Sequence, residues 1–191
     1  MFGREDLKQL IDCAARALEC EDHYLADCAN ARGWRNTRIG ICDNINERYY
    51  QFVIWRALMS SFRWRPRTER GSHDLAFYNE ETNELVAVAE IKGWWSSRGE
   101  SEIPGIKRDI EEKLGLLRIP GVMLVLTCQR TKHADDNLLL LAGKVGISRE
   151  SITVRSFNTS AWPGDDGPRE FTVMGFLAAQ RATAARISDS E

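Results

Sequence analysis

Apolar side chains near the start of the chain recur at intervals of three and four residues, and the pattern later changes to strict alternation. The first pattern predicts an amphipathic helix or helix pair over residues 1–28 and a second helix that begins at Asn44 or Asn46. Over 62–67 apolar and basic residues alternate, which is typical of a strand with one apolar and one basic face. Pro66 has no N–H to donate, so this strand is expected at an edge of its sheet.

Two β-prone runs follow, over 73–79 and 84–92, and the short polar turn between them predicts a hairpin. With the strand before them they make three successive antiparallel strands. The same periodicities predict a helix over 106–117, a buried strand over 122–127, a helix over 136–143, a strand over 151–157 and an Ala-rich closing helix over 171–187. This order predicts an α/β fold in which helices cover both faces of a mixed sheet.

The composition favours a single folded unit. The chain has 191 residues, of which 43% are hydrophobic and 28% charged, as in an ordinary globular domain. We expect one domain over 1–191, with a helical extension over 1–43, a core over 44–157, and a loop and closing helix over 158–191. The longest apolar runs are far shorter than the roughly 18 residues that a membrane span needs. A membrane is therefore not an expected partner.

The cysteines bear on the cellular compartment. They are odd in number and none forms a C-x-x-C pair; the five are Cys13, Cys20, Cys28, Cys42 and Cys128. This usage favours reduced thiols and a cytoplasmic protein.

The net charge of −2 conceals a basic segment. Residues 29–70 hold nine arginines against three acids, a local balance of +6. Guanidinium groups bind phosphate oxygens through paired hydrogen bonds, so the segment is a candidate surface for a nucleic-acid backbone. Arg63, Arg65 and Arg67 are expected on one strand face, with Arg70 following them. The alternative is that these arginines pair with acids of the same chain.

The two arms of the predicted hairpin carry two acids and a lysine near one end. Asp74 belongs to the first arm, and Glu90 and Lys92 end the apolar run of the second. Side chains two residues apart share a strand face, so Glu90 and Lys92 project together and Asp74 can meet them from the neighbouring strand. Two carboxylates at the margin of a core repel each other unless a cation lies between them. A hard divalent ion relieves this repulsion, and magnesium is the natural candidate, with manganese as its substitute.

The pattern D-x15-E-x-K resembles the motif of the PD-(D/E)XK nucleases, the restriction-endonuclease-like superfamily, and the resemblance extends over about residues 44–157. The core of that family has the order αβββαβ, which matches the predicted elements. His73 stands where the motif of the family has proline. Strand alternation turns His73 away from the face of Asp74, so a supporting role is expected for it.

The resemblance also implies a role for each residue of the site. Asp74 and Glu90 would bind the metal, with the carbonyl of Ile91 as a further ligand. Glu47, on the helix before the strands, matches an additional acid that many members of the family carry. Lys92 would lie beside the attacking water, and its reference pKa of about 10.4 favours an electrostatic role over that of a base.

The implied function is metal-dependent hydrolysis of phosphodiester bonds, with DNA as the expected substrate. A second hypothesis is a catalytically silent nuclease-like fold that binds protein or nucleic acid as one subunit of a larger complex. A homodimer is equally compatible with the sequence.

Two further segments are candidates for nucleic-acid contact. Trp94 and Trp95 follow the motif directly and either stack on a base or close an edge of the core. Lys107 and Arg108 lie in the next helix and either touch phosphate or belong to a solvated face, paired with acids such as Asp109.

Overall fold

The computed structural model describes residues 1–33, 40–43, 46–70, 73–96, 99–130, 134–160 and 169–179. Its helices are α1 (Arg4–Ala31), α2 (Glu47–Ser61), α3 (Ile103–Arg108) and α4 (Ala134–Val145), and a π-helical segment, Asp109–Leu114, continues α3. The strands are β1 (Arg65–Arg70), β2 (His73–Tyr78), β3 (Leu85–Trp94), β4 (Gly121–Arg130), β5 (Thr153–Asn158) and β6 (Arg169–Leu177). Short 3-10 turns occupy Ile41–Asp43 and Arg149–Ser151. No helix in these ranges is long and apolar enough to cross a membrane.

All six described strands form one mixed sheet in the order β1-β2-β3-β4-β6-β5. The first three strands pair antiparallel, β4 lies parallel to β3, and β6 and β5 follow antiparallel. The predicted hairpin, the buried strand with a parallel neighbour and the edge position of the strand with Pro66 are confirmed. The predicted α/β class with a mixed sheet is confirmed as well.

Alternation along the central strands divides the apolar core into two parts. On one face of β3, Ala87, Ala89 and Ile91 belong to the cluster that includes the buried stripes of α1 and α2. On the other face, Val88 and Trp94 belong to the cluster that includes side chains of α3 and α4. Because helices cover both faces, the central strands are apolar on both sides and read as continuous hydrophobic runs.

The prediction of a closing helix from residue 171 is wrong for 171–177, which form most of β6. Phe171 and Val173 face one core, whereas Met174 and Phe176 face the other. A strand buried on both faces shows no polar alternation, and the alanines that follow it favour a helical interpretation of the sequence. The part of the predicted helix over 180–187 lies outside the described residues.

Other element boundaries also differ from the predicted ones. The first strand begins at Arg65, three residues later than predicted, so Arg63 lies in a bend before it. The first helix is one continuous helix rather than a pair. Asn46 caps α2 by accepting the Arg48 N–H at 3.0 Å, and Asn44 lies outside the described residues.

Cys42 and Cys128 form a disulfide, so the expectation that all five cysteines are reduced is wrong for this pair. The fold brings the turn before α2 beside the end of β4, where the two Cα atoms are 6.3 Å apart, within the usual range for a disulfide. A separation of 86 residues carries no sign of this proximity in the sequence. Cys13, Cys20 and Cys28 are free.

Asp6 links the start of α1 to the bend before β1. Its buried carboxylate accepts hydrogen bonds from the Gly3 N–H at 2.8 Å, Nη2 of Arg63 at 2.8 Å and Nε1 of Trp64 at 2.9 Å. Burial alone would raise the pKa of Asp6, but the hydrogen bonds from Arg63, Gly3 and Trp64 outweigh burial and lower the pKa below its usual value.

We predict that Asp6→Asn lowers the free energy of unfolding at pH 7 by about 1–3 kcal/mol, because it weakens a buried charged acceptor. The folded-state pKa is depressed, so the stabilisation is present above the unfolded-state pKa and is lost as the pH falls through the folded-state pKa. Urea denaturation at pH 7 and below pH 3 should therefore show a difference between the two proteins that shrinks with acid. Asp27→Asn, an exposed position on the same helix, is the control. An equal difference at both pH values would contradict the argument.

Candidate active site

Asp74, Glu90 and Lys92 meet at one end of the β2–β3 hairpin. The strands pair antiparallel with Leu75 opposite Ala89, and continuing this register by one residue places Asp74 opposite Glu90. Residues directly opposite each other share a sheet face. The structure thus brings together the two acids and the lysine that the sequence singles out, at the margin of the core shared with α3 and α4.

β3 continues past the start of β2, and carboxylates accept hydrogen bonds from its N–H groups there. Asp74 Oδ2 lies 2.8 Å from the Ile91 N–H, and Glu47 Oε1 lies 2.9 Å from the Gly93 N–H. N–H groups two residues apart point to the same side of a strand, so the carboxylates of Asp74 and Glu47 follow one another along this edge. Gln51, one turn after Glu47 in α2, donates to the backbone carbonyl of Asp74 and fixes α2 against β2.

Glu90 has only 1% of its surface exposed, and both of its oxygens have partners. His73 Nδ1 lies 2.8 Å from Oε1, and Lys113 Nζ lies 2.7 Å from Oε2. Burial raises the pKa of Glu90 above its usual value, although hydrogen bonds from Lys113 and His73 act in the opposite direction. The neighbouring carboxylate of Asp74 adds to the rise. The imidazole of His73 therefore reaches the site, contrary to the expectation from strand alternation.

Lys92 lies between two carboxylates, with Nζ 3.1 Å from Asp109 Oδ2 and 3.9 Å from Glu47 Oε2. Burial opposes its charge, but the contact with Asp109 and the negative charges of Glu47, Asp109 and Asp74 outweigh burial and raise the pKa of Lys92. Lys92 is therefore held as an ammonium cation, which favours an electrostatic role over that of a general base.

Asp109 and Lys113 complete the site, although the sequence analysis does not assign either residue to it. They lie four residues apart in the π-helical segment, where Asp109 is 3% exposed and its Oδ1 is 3.3 Å from Lys113 Nζ. The expectation that Asp109 belongs to a solvated face is wrong, because this segment packs on the end of β3. Both residues flank the apolar stripe of Ile106 and Leu114. That position beside the buried face is the one sign in the sequence that they lie near the core. Short π-helical segments such as this one are frequent at functional sites.

The site carries an excess of negative charge. Four carboxylates, from Glu47, Asp74, Glu90 and Asp109, face two ammonium groups, from Lys92 and Lys113. Asp109 Oδ2 is buried and makes no hydrogen bond within the described residues, although the Lys92 ammonium is 3.1 Å away as an ion-pair partner. Among these residues no three acid, histidine or cysteine side chains are arranged as a ready metal-binding set. The carboxylate oxygens and the excess of two negative charges fit a hard divalent cation, provided that the side chains adjust.

The arginines of the predicted basic face divide into two groups. Arg63 is paired with Asp6 and lies 4.6 Å over the ring of Trp64, so the prediction that it shares a strand face with Arg65 and Arg67 is wrong. Arg65 donates to Asn83, and the guanidinium of Arg67 lies 4.9 Å from the ring centre of Tyr78.

Among Arg63, Arg65 and Arg67, Arg67 has the register position nearest the acids, although its guanidinium lies over the ring of Tyr78. It lies opposite Ala76, which lies opposite Val88, so it shares the sheet face of Glu90 one row away along the strands. The side chain of Arg70 lies outside the described residues.

The two tryptophans predicted as base-stacking residues are packing residues. Trp94 is fully buried and donates its indole N–H to the Ser96 carbonyl at 2.8 Å, so its predicted contact with nucleic acid is wrong. Trp95 packs on the opposite sheet face, with its ring centre 5.7 Å from Tyr50 and 6.2 Å from Phe171. Both residues therefore agree with the alternative prediction, in which the pair closes an edge of the core.

Lys107 and Arg108 are exposed on α3, the helix that leads into the π-helical segment. Their predicted contact with phosphate remains a prediction.

Comparison of the chain with protein-family models, with curated proteins and with solved structures finds no match.

Gly93 permits the close approach of Trp95 beside the site. A Cβ atom at this position would lie 2.7 Å from Cε2 of the Trp95 indole, which is already packed against neighbouring rings. We predict that Gly93→Ala lowers the free energy of unfolding by about 1–3 kcal/mol through overpacking. Gly105→Ala is the matched control, since nothing lies within 4 Å of its added Cβ and alanine favours a helix. Urea denaturation compares them, and equal stabilities would refute the prediction.

Proposed function

We propose that this chain is a metal-dependent nuclease that hydrolyses phosphodiester bonds of nucleic acid, with DNA as its expected substrate. The observation that carries the proposal is the charge balance at the end of the hairpin, where four carboxylates face two ammonium groups. One magnesium or manganese ion carries the two positive charges that are missing. Carboxylates without a functional role rarely lie close together at a half-buried position, because their mutual repulsion and their desolvation destabilise the fold.

The order of elements supports the proposal independently of the charges. A helix, three antiparallel strands, a helix and a strand parallel to the third make up α2, β1, β2, β3, α3 and β4. This is the αβββαβ order of the restriction-endonuclease-like superfamily. The acids lie on the second and third of the three strands, where that family carries them.

Each residue of the site has a chemical task under this proposal. Asp74 and Glu90 would hold the metal, and the resemblance adds the carbonyl of Ile91 and the carboxylate of Glu47. When bound, such an ion polarises the phosphate and lowers the pKa of a coordinated water. Lys92 stabilises the negative charge that develops on the phosphate, because its raised pKa keeps it cationic. Asp109 positions the Lys92 ammonium at 3.1 Å.

A second candidate is the silent, nuclease-like binding subunit. The observation in its favour is that Glu90 already has a protein partner at each oxygen, His73 at one and Lys113 at the other. In that case binding to protein or nucleic acid would not depend on metal and would survive neutralisation of the acids.

The decisive experiment incubates plasmid DNA, single-stranded DNA and RNA with the protein in magnesium or manganese and follows cleavage on gels. We expect the wild type to cleave DNA. Asp74→Asn, Glu90→Gln and Lys92→Met should each lower the rate by at least about 100-fold, since the first two each remove a carboxylate that would hold the metal and the third removes the cation beside the phosphate.

Glu112→Gln is the control for this series, because it removes an exposed carboxylate from the same π-helical segment. It should cleave at the wild-type rate. Absence of cleavage by the wild type with either metal, or undiminished cleavage by the three site variants, would overturn the nuclease proposal. Thermal unfolding of every variant establishes that it is folded.

Arg67 and Arg63 provide a matched pair for the proposed nucleic-acid surface. Arg67→Gln should weaken DNA binding several-fold and lower the slope of affinity against salt by about one, because one phosphate contact is lost. Arg63→Gln removes the same charge from a residue engaged with Asp6 and should leave the affinity unchanged. Fluorescence anisotropy without divalent cations measures both. Equal effects of the two substitutions would place the DNA elsewhere.

A further inference from the structure

Lys113 occupies a position between two buried carboxylates. Its ammonium nitrogen lies 2.7 Å from Glu90 Oε2 and 3.3 Å from Asp109 Oδ1. Both acids are almost completely buried, whereas the lysine side chain is about one-third exposed. The cation that neutralises Glu90 in this structure therefore comes from the solvent side of the site.

A divalent cation bound to Glu90 and the ammonium of Lys113 cannot both stay where they are. Glu90 has two oxygens, and His73 and Lys113 each occupy one of them. Coordination at about 2.1 Å to the oxygen that Lys113 contacts would bring the metal ion close to the ammonium nitrogen. The contact of His73 is with the other oxygen, but an ammonium beside a doubly charged ion is repelled.

Asp109 gives Lys113 a second place to bind. The two residues are four apart in the π-helical segment, and Asp109 Oδ1 is already within 3.3 Å of the ammonium. A lysine stem is long and flexible, so the ammonium can turn from Glu90 to Asp109 without movement of the backbone. The other oxygen of Asp109 faces Lys92, which would then share the carboxylate.

We infer that Lys113 is the resident counter-ion of Glu90 and that a divalent cation binding at Glu90 and Asp74 displaces its ammonium group onto Asp109. The inference rests on the proposed metal-dependent function. It assigns to Lys113 a part in setting the metal affinity, separate from the role of Lys92 beside the phosphate. Lys113 thus competes with the metal ion, and in the metal-free protein it balances the charge of Glu90.

Manganese binding measured by calorimetry, and by the electron paramagnetic resonance of free Mn²⁺, tests this without any readout of activity. Lys113→Met should bind Mn²⁺ at least about threefold more tightly than the wild type, because the competing cation is gone. Lys8→Met removes the same charge from an exposed site on α1, across the sheet, and should bind as the wild type does. Asp74→Asn should lose the binding and so locate the ion.

The possible outcomes separate the two proposals. Weaker binding by Lys113→Met would mean that the lysine holds Glu90 in position for the metal, and equal binding would mean that the two do not compete. Either result overturns the role of Lys113 while leaving the metal site in place. If neither the wild type nor Lys113→Met shows binding that depends on Asp74, both the inference and the proposed function fail. Lys113→Gln repeats the comparison should the methionine variant not fold.

Discussion

A carboxylate buried at the end of a central strand has to be neutralised, and the surroundings of Glu90 follow from that requirement. Lys113 and His73 each contact one of its oxygens, and Asp109 holds Lys113 in place from one turn away. Asp109 then needs a cation of its own, which Lys92 supplies. One buried charge thus determines which groups the β3 end and the π-helical segment must carry.

The two lysines do not balance all four carboxylates, and the two carboxylates without a close cation lie toward the solvent. Glu47 is about half exposed and Asp74 is partly buried, and both are held by backbone N–H groups of β3 rather than by a side-chain cation in full contact. Where β3 extends beyond the start of β2, its backbone N–H groups can donate to carboxylates without adding positive charge. The arrangement leaves the carboxylates of Glu47 and Asp74 along one strand edge without a cation in full contact, and carboxylate oxygens are the ligands that a hard cation prefers.

The parts of the fold with a clear period follow from the sequence. The β-prone run over 84–92 predicts a strand in which the two-residue spacing of Glu90 and Lys92 places them on one face, and the short turn before it makes Asp74 their neighbour. Where both faces are buried the period disappears, as in β6, so the strand is indistinguishable from a helix. Contacts between distant segments are also invisible, which explains why the Cys42–Cys128 disulfide was not anticipated.

The candidate site was predictable only as far as it lies on one hairpin and the helix before it. Asp109 has the same sequence signature as its exposed neighbours Glu111 and Glu112, and only the packing of its segment on β3 distinguishes it. The direction of His73 departs from alternation because it is the first residue of its strand, where pairing with β3 ends. Arg63 does not share the strand face predicted for it, because a bend replaces the first part of the predicted strand.

The position of β1 at the edge of the described sheet has a consequence for how copies of this protein meet. An unpaired strand is a template on which a second chain can add its own strand, the route to fibres and precipitates. Pro66 removes one donor from that template, and Arg65 and Arg67 put like charges on any two such strands brought together. The guanidinium groups that we propose for contact with a nucleic-acid backbone therefore also oppose the addition of a second copy at this edge.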